Sequence, residues 1–260
     1  MKLIKILSIL LLFNICVSQI NHPYPPSELV TIPTAGTLPR GSYAFETLLI
    51  KNGGLVSRLS VGFTDHFSFG VSFGVQNFIG SNNPTINKPT PEVQIKYRLY
   101  EESEQTPAFV VGLDTQGKGE FIEFIGENIS NRYDQKAWGI YAVASKNWSV
   151  LGNLGFHIGL NKNYWESTLD KDSDVNLFFG FDKELNRSFS FLIEYDAAIN
   201  DNSYETEDIT FGKGRGYLNA GIRWTFAENL LLELNANDLQ KNSKAGSISR
   251  EIKIIFSESF

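Results

Sequence analysis

The last stretch of the chain, REIKIIFSESF (residues 250–260), constrains the fold more than any other part of the sequence. Ile252 and Ile254 flank Lys253, and a spacing of two places alternate side chains on opposite faces of a β-strand. The sequence stops on an aromatic residue, Phe260. A closing strand that ends on an aromatic residue is typical of bacterial outer-membrane barrels. The alternative is the C-terminal strand of a soluble sandwich.

Residues 1–18 predict a secretory signal. Lys2 and Lys5 form its basic region, and residues 6–15 are mostly apolar but too few to span a membrane as a helix. Cys16 raises the alternative of a lipoprotein, but the residues just before it are not the small ones that lipidation requires. Because Cys16 is the only cysteine, the mature chain is expected to contain no disulfide.

The following segment, residues 19–40, contains five prolines. Each proline lacks the backbone N–H that a strand of a barrel wall donates. We therefore expect a periplasmic entry segment, ordered or tethered, that can fold into the barrel mouth and could plug the lumen. The predicted organisation is a signal peptide (1–18), this Pro-rich entry segment (19–40) and an outer-membrane β-barrel (41–260).

Twelve strand-like segments follow, most of them near the roughly 9–11 residues that a tilted membrane strand requires. The clearest covers residues 67–77, in which Phe69, Val71 and Phe73 alternate with serine and glycine. The predicted strands are 42–50, 54–63, 67–77, 92–100, 107–115, 136–146, 148–160, 174–182, 187–196, 216–226, 229–237 and 250–260.

Connection lengths favour a membrane barrel over a sandwich. Tight turns alternate with longer loops, as in outer-membrane barrels, which have short periplasmic turns and longer external loops. The turns are predicted at 64–66, 101–106, 146–147, 183–186 and 227–229, and the loops at 78–91, 116–135, 161–173, 197–215 and 238–249. An even number of strands places both barrel ends on the periplasmic side. We therefore predict an all-β, single antiparallel, up-and-down transmembrane barrel.

The two faces of these strands differ in charge. One is apolar and suits lipid, with Phe69, Val71, Phe73, Phe191, Ile222 and Leu234 among its members. The other carries charged residues and is predicted to line a polar lumen: Glu46, Arg58, Lys96, Arg98, Asp114, Glu194, Arg223, Glu233 and Lys253. A soluble barrel would have to bury these charges in its core at a high free-energy cost.

Neighbouring strands offer opposite charges across the predicted lumen. Arg223 is expected beside Glu194 and Glu233. Lys96 or Arg98 is expected beside Asp114, and Lys253 beside Glu46 where the barrel closes. Opposite charges on adjacent strands stabilise a sheet modestly.

The net charge of −6 argues against nucleic acid as a partner, since the sequence shows no basic stripe. No cofactor-binding pattern is evident, and we expect no cofactor. GKG (117–119) and GKGRG (212–216) are read as loop glycines, because neither joins a strand to a helix.

Three stretches together resemble the YjbH-like family of outer-membrane β-barrels: TIPTAGTLPRGSY (31–43), PEVQIKYRLYEESEQTPAFVVGLDTQGKGEF (91–121) and GIYAVASKNW (139–148). They occur in the order expected for that family and cover about half of the mature chain. The family is associated with exopolysaccharide production and secretion. The resemblance therefore implies a barrel with a role in polysaccharide export, and it brings no catalytic residues.

Candidate catalytic chemistry is sparse. His22 and His66 are expected to be solvated, whereas His157 points inward by parity, with Asn153 on the same face. Some twelve-stranded barrels are lipases that use Ser, His and Asn or Asp. A nucleophile needs its base within hydrogen-bond reach, and the sequence spacing places no serine within such reach of His157. We therefore predict that the protein is not an enzyme.

DKDSDVN (170–176) is the one sequence that suggests a metal. It is not an EF-hand, because Val175 replaces the glycine of the sixth position and Phe181 the glutamate of the twelfth. Asp170, Asp172 and Asp174 are weak candidates for an external divalent site, and a solvated loop is the alternative.

The sequence thus predicts an outer-membrane barrel that acts as a pore or export component for small solutes or polysaccharide. A closed structural or binding barrel is the first alternative, and a barrel lipase or acyltransferase is the less favoured one. The expected partners are outer-membrane lipid and lipopolysaccharide, the barrel-insertion machinery through Phe260, and polysaccharide-export proteins.

Overall fold

The computed structural model describes residues 26–125, 128–149, 151–166, 170–202 and 211–260. The predicted signal segment and the first part of the Pro-rich segment, including His22, lie outside these residues. No helix in the described ranges is long and apolar enough to cross a membrane. The helical elements described are two 3₁₀ turns, Lys51–Gly53 and Ile199–Asp201.

The described residues form fifteen strands. They are β1 (Ser42–Ile50), β2 (Gly54–Gly62), β3 (Phe67–Gln76), β4 (Thr85–Ile86), β5 (Glu92–Tyr100), β6 (Ala108–Asp114), β7 (Lys118–Ile125), β8 (Asn128–Gln135), β9 (Gly139–Ser149), β10 (Asn153–Lys162), β11 (Asn176–Glu184), β12 (Phe189–Asp196), β13 (Tyr217–Ala227), β14 (Leu230–Asn237) and β15 (Ser249–Ser259).

Twelve of these strands form the wall of a closed barrel. Each wall strand pairs antiparallel with its two neighbours, and the barrel closes where β1 pairs with β15. Strands β7 and β8 pair only with each other, and the two-residue β4 pairs with the end of β3. The predicted twelve-stranded, antiparallel, up-and-down barrel is confirmed.

The wall strands expose apolar side chains outward and bury charged ones inward. Ile222 and Leu234 are 47% and 56% exposed, whereas Glu233 and Lys253 are almost fully buried. Burying charges and exposing hydrophobic side chains reverses the pattern of a soluble protein. This arrangement is that of a barrel embedded in a membrane, with lipid as its outer solvent.

Both ends of the barrel sequence meet at the end that carries the short turns. The Gly41 N–H donates to the Gly62 carbonyl, and the Phe260 N–H donates to the Gly41 carbonyl, each at 2.9 Å. The Phe260 ring stacks on the Tyr43 ring with centroids 5.9 Å apart. The last strand is therefore held to the first up to its final residue.

Two predictions about the strands were wrong. The turn expected at 146–147 lies farther along the chain, since β9 continues to Ser149, and Leu151 and Gly152 have the positive φ angles (49° and 94°) that reverse the chain before β10. The expected loop 116–135 contains β7 and β8. This hairpin lies outside the wall, so the strand length and loop spacing of the wall do not predict it.

Candidate functional site

The lumen is occupied by residues 26–40, named here the plug. Its tip folds into a hairpin in which the Leu29 N–H donates to the Ile32 carbonyl (3.0 Å) and the Thr34 N–H donates to the Ser27 carbonyl (3.0 Å). The plug enters from the turn end, where the Arg40 N–H donates to Asp65 in the turn between β2 and β3. The described part of the Pro-rich segment, residues 26–40, thus lies inside the barrel.

One side of the plug is apolar and packs on an apolar patch of the wall. Leu29, Val30, Ile32 and Ala35 are all buried there. The wall contributes Ala108, Val110, Tyr141, Val143, Phe178 and Leu192, with Trp138 packed beside them. The lumen is therefore not polar throughout, and the charged residues of the inward face did not predict this apolar patch of the wall, named here the apolar seat.

Glu194 on β12 binds the backbone of the plug. Its carboxylate accepts hydrogen bonds from the N–H groups of Val30 (2.9 Å), Thr31 (2.9 Å) and Ile32 (3.1 Å), and from the Thr31 hydroxyl. Asn219 on β13 donates to the same carboxylate at 2.8 Å. A buried carboxylate with this many donors is well satisfied.

The predicted pairing of Glu194 with Arg223 was wrong, because the register places Asn219 opposite Glu194 and Ser190 opposite Arg223. Arg223 instead lies opposite Glu233, as also predicted, with Nε and Oε1 2.5 Å apart. Arg223 Nη2 donates to the plug carbonyl of Glu28 at 3.0 Å.

Lys96 on β5 also binds the plug backbone. Its ammonium donates to the carbonyls of Ser27, Thr34 (3.1 Å) and Gly36 (3.2 Å). The prediction that Lys96 or Arg98 lies beside Asp114 was wrong, because Gln94 is the residue opposite Asp114. The Asp114 carboxylate accepts from Gln94 and from Arg58, each at 2.9 Å.

Glu28 is the acidic residue of the plug, and its carboxylate lies between two cations of the wall. One oxygen binds Arg58 Nη1 on β2, and the other accepts from Lys253 Nζ on β15 at 3.1 Å. The predicted pair of Lys253 with Glu46 is long, at 4.0 Å, because the ammonium is drawn to Glu28 and to the Val30 carbonyl (2.9 Å).

A cavity of about 660 Å³ lies between the plug and the turn end of the barrel. Arg98, expected in the charge network, lines this cavity and is only partly buried. Its Nε atom is buried and lacks a hydrogen-bond partner among the described residues. This cavity, whose lining also includes Glu102, His157 and Asp182, is named here the vestibule.

Three side chains in the vestibule form a hydrogen-bonded line that the sequence did not reveal. His157 Nε2 lies 2.9 Å from Asp182 Oδ1, and His157 Nδ1 lies 2.7 Å from Ser145 Oγ. A neutral ring that donates to Asp182 through Nε2 accepts from Ser145 through Nδ1. Ser145 is opposite His157 on the adjacent strand β9, twelve residues away, so only the register could identify it.

Serine, histidine and aspartate in this order are the groups that activate a nucleophile in many hydrolases. Here the serine hydroxyl binds the plug backbone. Ser145 is only 5% exposed, and its Oγ accepts a hydrogen bond from the Ala35 N–H at 2.8 Å. The line thus connects β9, β10 and β11 to the plug.

The opposite end of the barrel is covered by the β7–β8 hairpin, named here the lid. Lys118 on β7 pairs with Glu251 on β15 at 2.7 Å, and the Tyr133 hydroxyl on β8 donates to Glu92 on β5 at 3.0 Å. Burial, together with the Glu92 carboxylate, raises the pKa of Tyr133 and keeps that donor protonated. The lid thus contacts the wall on both sides of the barrel closure.

Arg132 connects the lid to the loops at the far side of this end. Its guanidinium binds Asp170 (2.9 Å) and Asp201 (2.8 Å) and is almost completely buried. Lys136 also pairs with Asp170, at 2.6 Å. Buried charges need such partners, since an isolated one would cost several kcal/mol.

The three aspartates suggested as a metal site have different roles. Asp170 binds the two cations described above, Asp172 accepts from the backbone N–H of Asn202 (2.9 Å), and Asp174 is exposed. Within the described ranges, no group of three or more His, Cys, Asp or Glu side chains is placed to hold a metal ion. The geometry therefore gives no ligand set for the suggested divalent site.

No protein-family model and no curated protein matches the chain. Similar solved structures include the KdgM porin in complex with disordered oligogalacturonate (10% identity, TM-score 0.48, 84% of this chain and 99% of that chain). Others are the NanC porin (10% identity, TM-score 0.44, 84% and 99%) and the outer membrane protein Omp33 of Acinetobacter baumannii (6% identity, TM-score 0.45, 84% and 97%). At these identities the similarity concerns the fold alone.

Proposed function

We propose that this protein is an outer-membrane channel for small solutes or polysaccharide, and that the plug closes it. The observation that carries the proposal is that a separate segment, residues 26–40, fills the lumen. Eight-stranded barrels are filled by the side chains of their own wall, whereas much wider barrels leave an aqueous channel. A twelve-stranded wall that accommodates an additional hairpin would enclose a water-filled path once that hairpin leaves.

The contacts between plug and wall are of a kind that would let the whole plug leave the lumen while the wall stays intact. Its only described β-bridge, Glu28 to Pro33, lies within the plug itself, so every strand pair of the wall persists without it. The polar contacts run largely from wall side chains, such as Glu194 and Lys96, to plug backbone atoms. Water or a polar solute can replace such hydrogen bonds.

Conductance of the refolded full-length chain in a planar lipid bilayer tests this proposal. The matched variant is Leu29→Ser/Ile32→Ser, which removes two fully buried plug side chains from the apolar seat without changing the lumen charge. Truncating buried side chains of this size costs about 2–5 kcal/mol each. We expect rare openings of the wild type and frequent, large steps from the double variant.

The control for this experiment is Leu151→Ser, in the exposed turn between β9 and β10. It should conduct as the wild type does. A folded and inserted double variant that remains silent, also after Arg132→Ala is added to release the lid, would refute the channel. The saturated hydrogen bonding of the Glu194 carboxylate favours the second candidate, a permanently closed structural or binding barrel, and that silence would support it.

We also propose what the channel carries and which molecules it contacts. The resemblance to the YjbH-like family favours polysaccharide as a cargo and export proteins as partners. The apolar outer face suits lipid and lipopolysaccharide, and Phe260, which is exposed at the end of β15, suits recognition by the barrel-insertion machinery. Antibody or gold labelling of the cell surface and membrane fractionation test the location directly.

A further inference from the structure

We propose that the Glu28 carboxylate occupies a solute site, and that the open lumen binds a saccharide bearing a carboxylate. This inference rests on the proposed channel. The plug inserts one carboxylate into the lumen, and that group lies between Arg58 and Lys253, within 3.4 Å of the Gln94 amide nitrogen. The Glu28 side chain is only 12% exposed, so the wall surrounds it as a binding site would surround a ligand.

The wall cations depend on the plug for their partners. Every acceptor of Lys96 in the described residues is a plug carbonyl. Without the plug, Lys253 would keep only the carboxylates of Glu46 and Glu233, each 4.0 Å away. Withdrawal of the plug therefore leaves Lys253 on β15, Arg58 on β2 and Lys96 on β5 without their plug acceptors, with Glu46 on the intervening strand β1.

Arg58 presents one donor to the Glu28 position. Its Nη2 binds Asp114 and its Nη1 binds Glu28. Because a guanidinium holds its donors in a fixed planar arrangement, Asp114 keeps the Nη1 edge aimed into the lumen. A free carboxylate in place of Glu28 would therefore accept a charge-assisted hydrogen bond from Nη1.

On the other side of the lumen, the Glu194 carboxylate on β12 would need new hydrogen-bond donors. On plug withdrawal Glu194 would lose three backbone N–H groups and the Thr31 hydroxyl, keeping the Asn219 amide. Sugar hydroxyls donate to a carboxylate as the Thr31 hydroxyl does, and they also accept from an ammonium such as that of Lys96. A sugar acid offers both a carboxylate for Arg58 and Lys253 and hydroxyls for Glu194 and Lys96.

Isothermal calorimetry on the full-length Leu29→Ser/Ile32→Ser barrel, folded in detergent, tests this site. The probes are sodium glucuronate, glucose and sodium acetate at equal ionic strength. We expect glucuronate to bind more tightly than either comparator. Adding Lys253→Gln should weaken glucuronate roughly tenfold, as expected for the loss of one charge-assisted hydrogen bond. Equal binding of all three probes, or no effect of Lys253→Gln, would overturn the proposal.

A second variant keeps the test independent of plug release. Glu28→Ala removes the plug carboxylate from between Arg58 and Lys253, so acetate can occupy that position both while the loosened plug is in place and after it has left. Acetate should fill it and raise the melting temperature of this variant by about 2–4 °C relative to chloride, with no such shift in the wild type. The same response to both salts would contradict a carboxylate site.

The two proposals fail in different ways. A silent bilayer with specific glucuronate binding would reject the channel and keep the site. A conducting double variant that binds glucuronate no better than glucose would keep the channel and reject the site.

Discussion

Glu28 in the plug and Lys253 on the last strand form an ion pair of 3.1 Å across 225 residues of sequence. The pair links the N-terminal part of the described chain to the strand that closes the barrel. Glu28→Gln should therefore loosen the plug, because it leaves the Lys253 ammonium with carboxylates only at 4.0 Å. Removing one partner of a buried pair costs about 3–5 kcal/mol.

More frequent channel openings in single-channel recordings would reveal this effect of Glu28→Gln. Glu104→Gln, in the exposed turn after β5, serves as the control. Identical opening frequencies for all three proteins would disprove a role for the Glu28 pair in closure.

Arg223→Ala should lower both barrel stability and plug retention. The substitution removes the partner of the fully buried Glu233 and a donor to the Glu28 carbonyl. We expect a loss of about 3–5 kcal/mol, measured by urea titration of the folded barrel in detergent, and higher conductance. An unchanged titration and unchanged conductance would show that this ion pair has no such role.

Phe191→Arg should impair membrane insertion far more than Ser190→Arg. The Phe191 side chain belongs to the outward face of β12, whereas Ser190 lines the vestibule. Arginine on the lipid face costs about 2–4 kcal/mol at the membrane midplane and less near the interface. Folding yield into lipid vesicles measures the difference, and equal yields would refute the assignment of the two faces.

Ser145→Ala should weaken the plug by removing the acceptor of the Ala35 N–H. An unsatisfied buried group costs about 1–3 kcal/mol, which would appear as a lower melting temperature and more openings. Ser145→Thr, which keeps the hydroxyl, is the matched comparison. A fluorophosphonate probe should leave Ser145 unlabelled because the plug covers it; labelling in the folded wild type would instead indicate a reactive nucleophile.

Arg132→Ala should release the lid while leaving the wall folded. It removes the cation that binds Asp170 and Asp201, although Lys136 still pairs with Asp170. Limited trypsin digestion should then cleave at Lys118 more rapidly than in the wild type. Arg250→Ala, on the exposed start of β15, should leave that rate unchanged. Equal cleavage in the Arg132 variant would mean that other contacts hold the lid.

The sequence by itself determined the wall of the barrel. Alternation with a period of two is a local property, so Phe73 and Ser72 indicate their opposite faces without reference to any other strand. Turn and loop lengths are also read locally, and with an even strand count they place Gly41 and Phe260 at the same end.

Only the tertiary structure decided what fills the barrel. The plug has no repeating pattern, and its partners Lys253 and Glu194 lie more than 160 residues away in sequence. The register between strands is likewise non-local. It places Asn219 and not Arg223 opposite Glu194, and it places Ser145 opposite His157. The face on which a side chain lies depends only on the covalent geometry of its own strand. Its partner on a neighbouring strand depends on the register, which is set by the alignment of all the strands together.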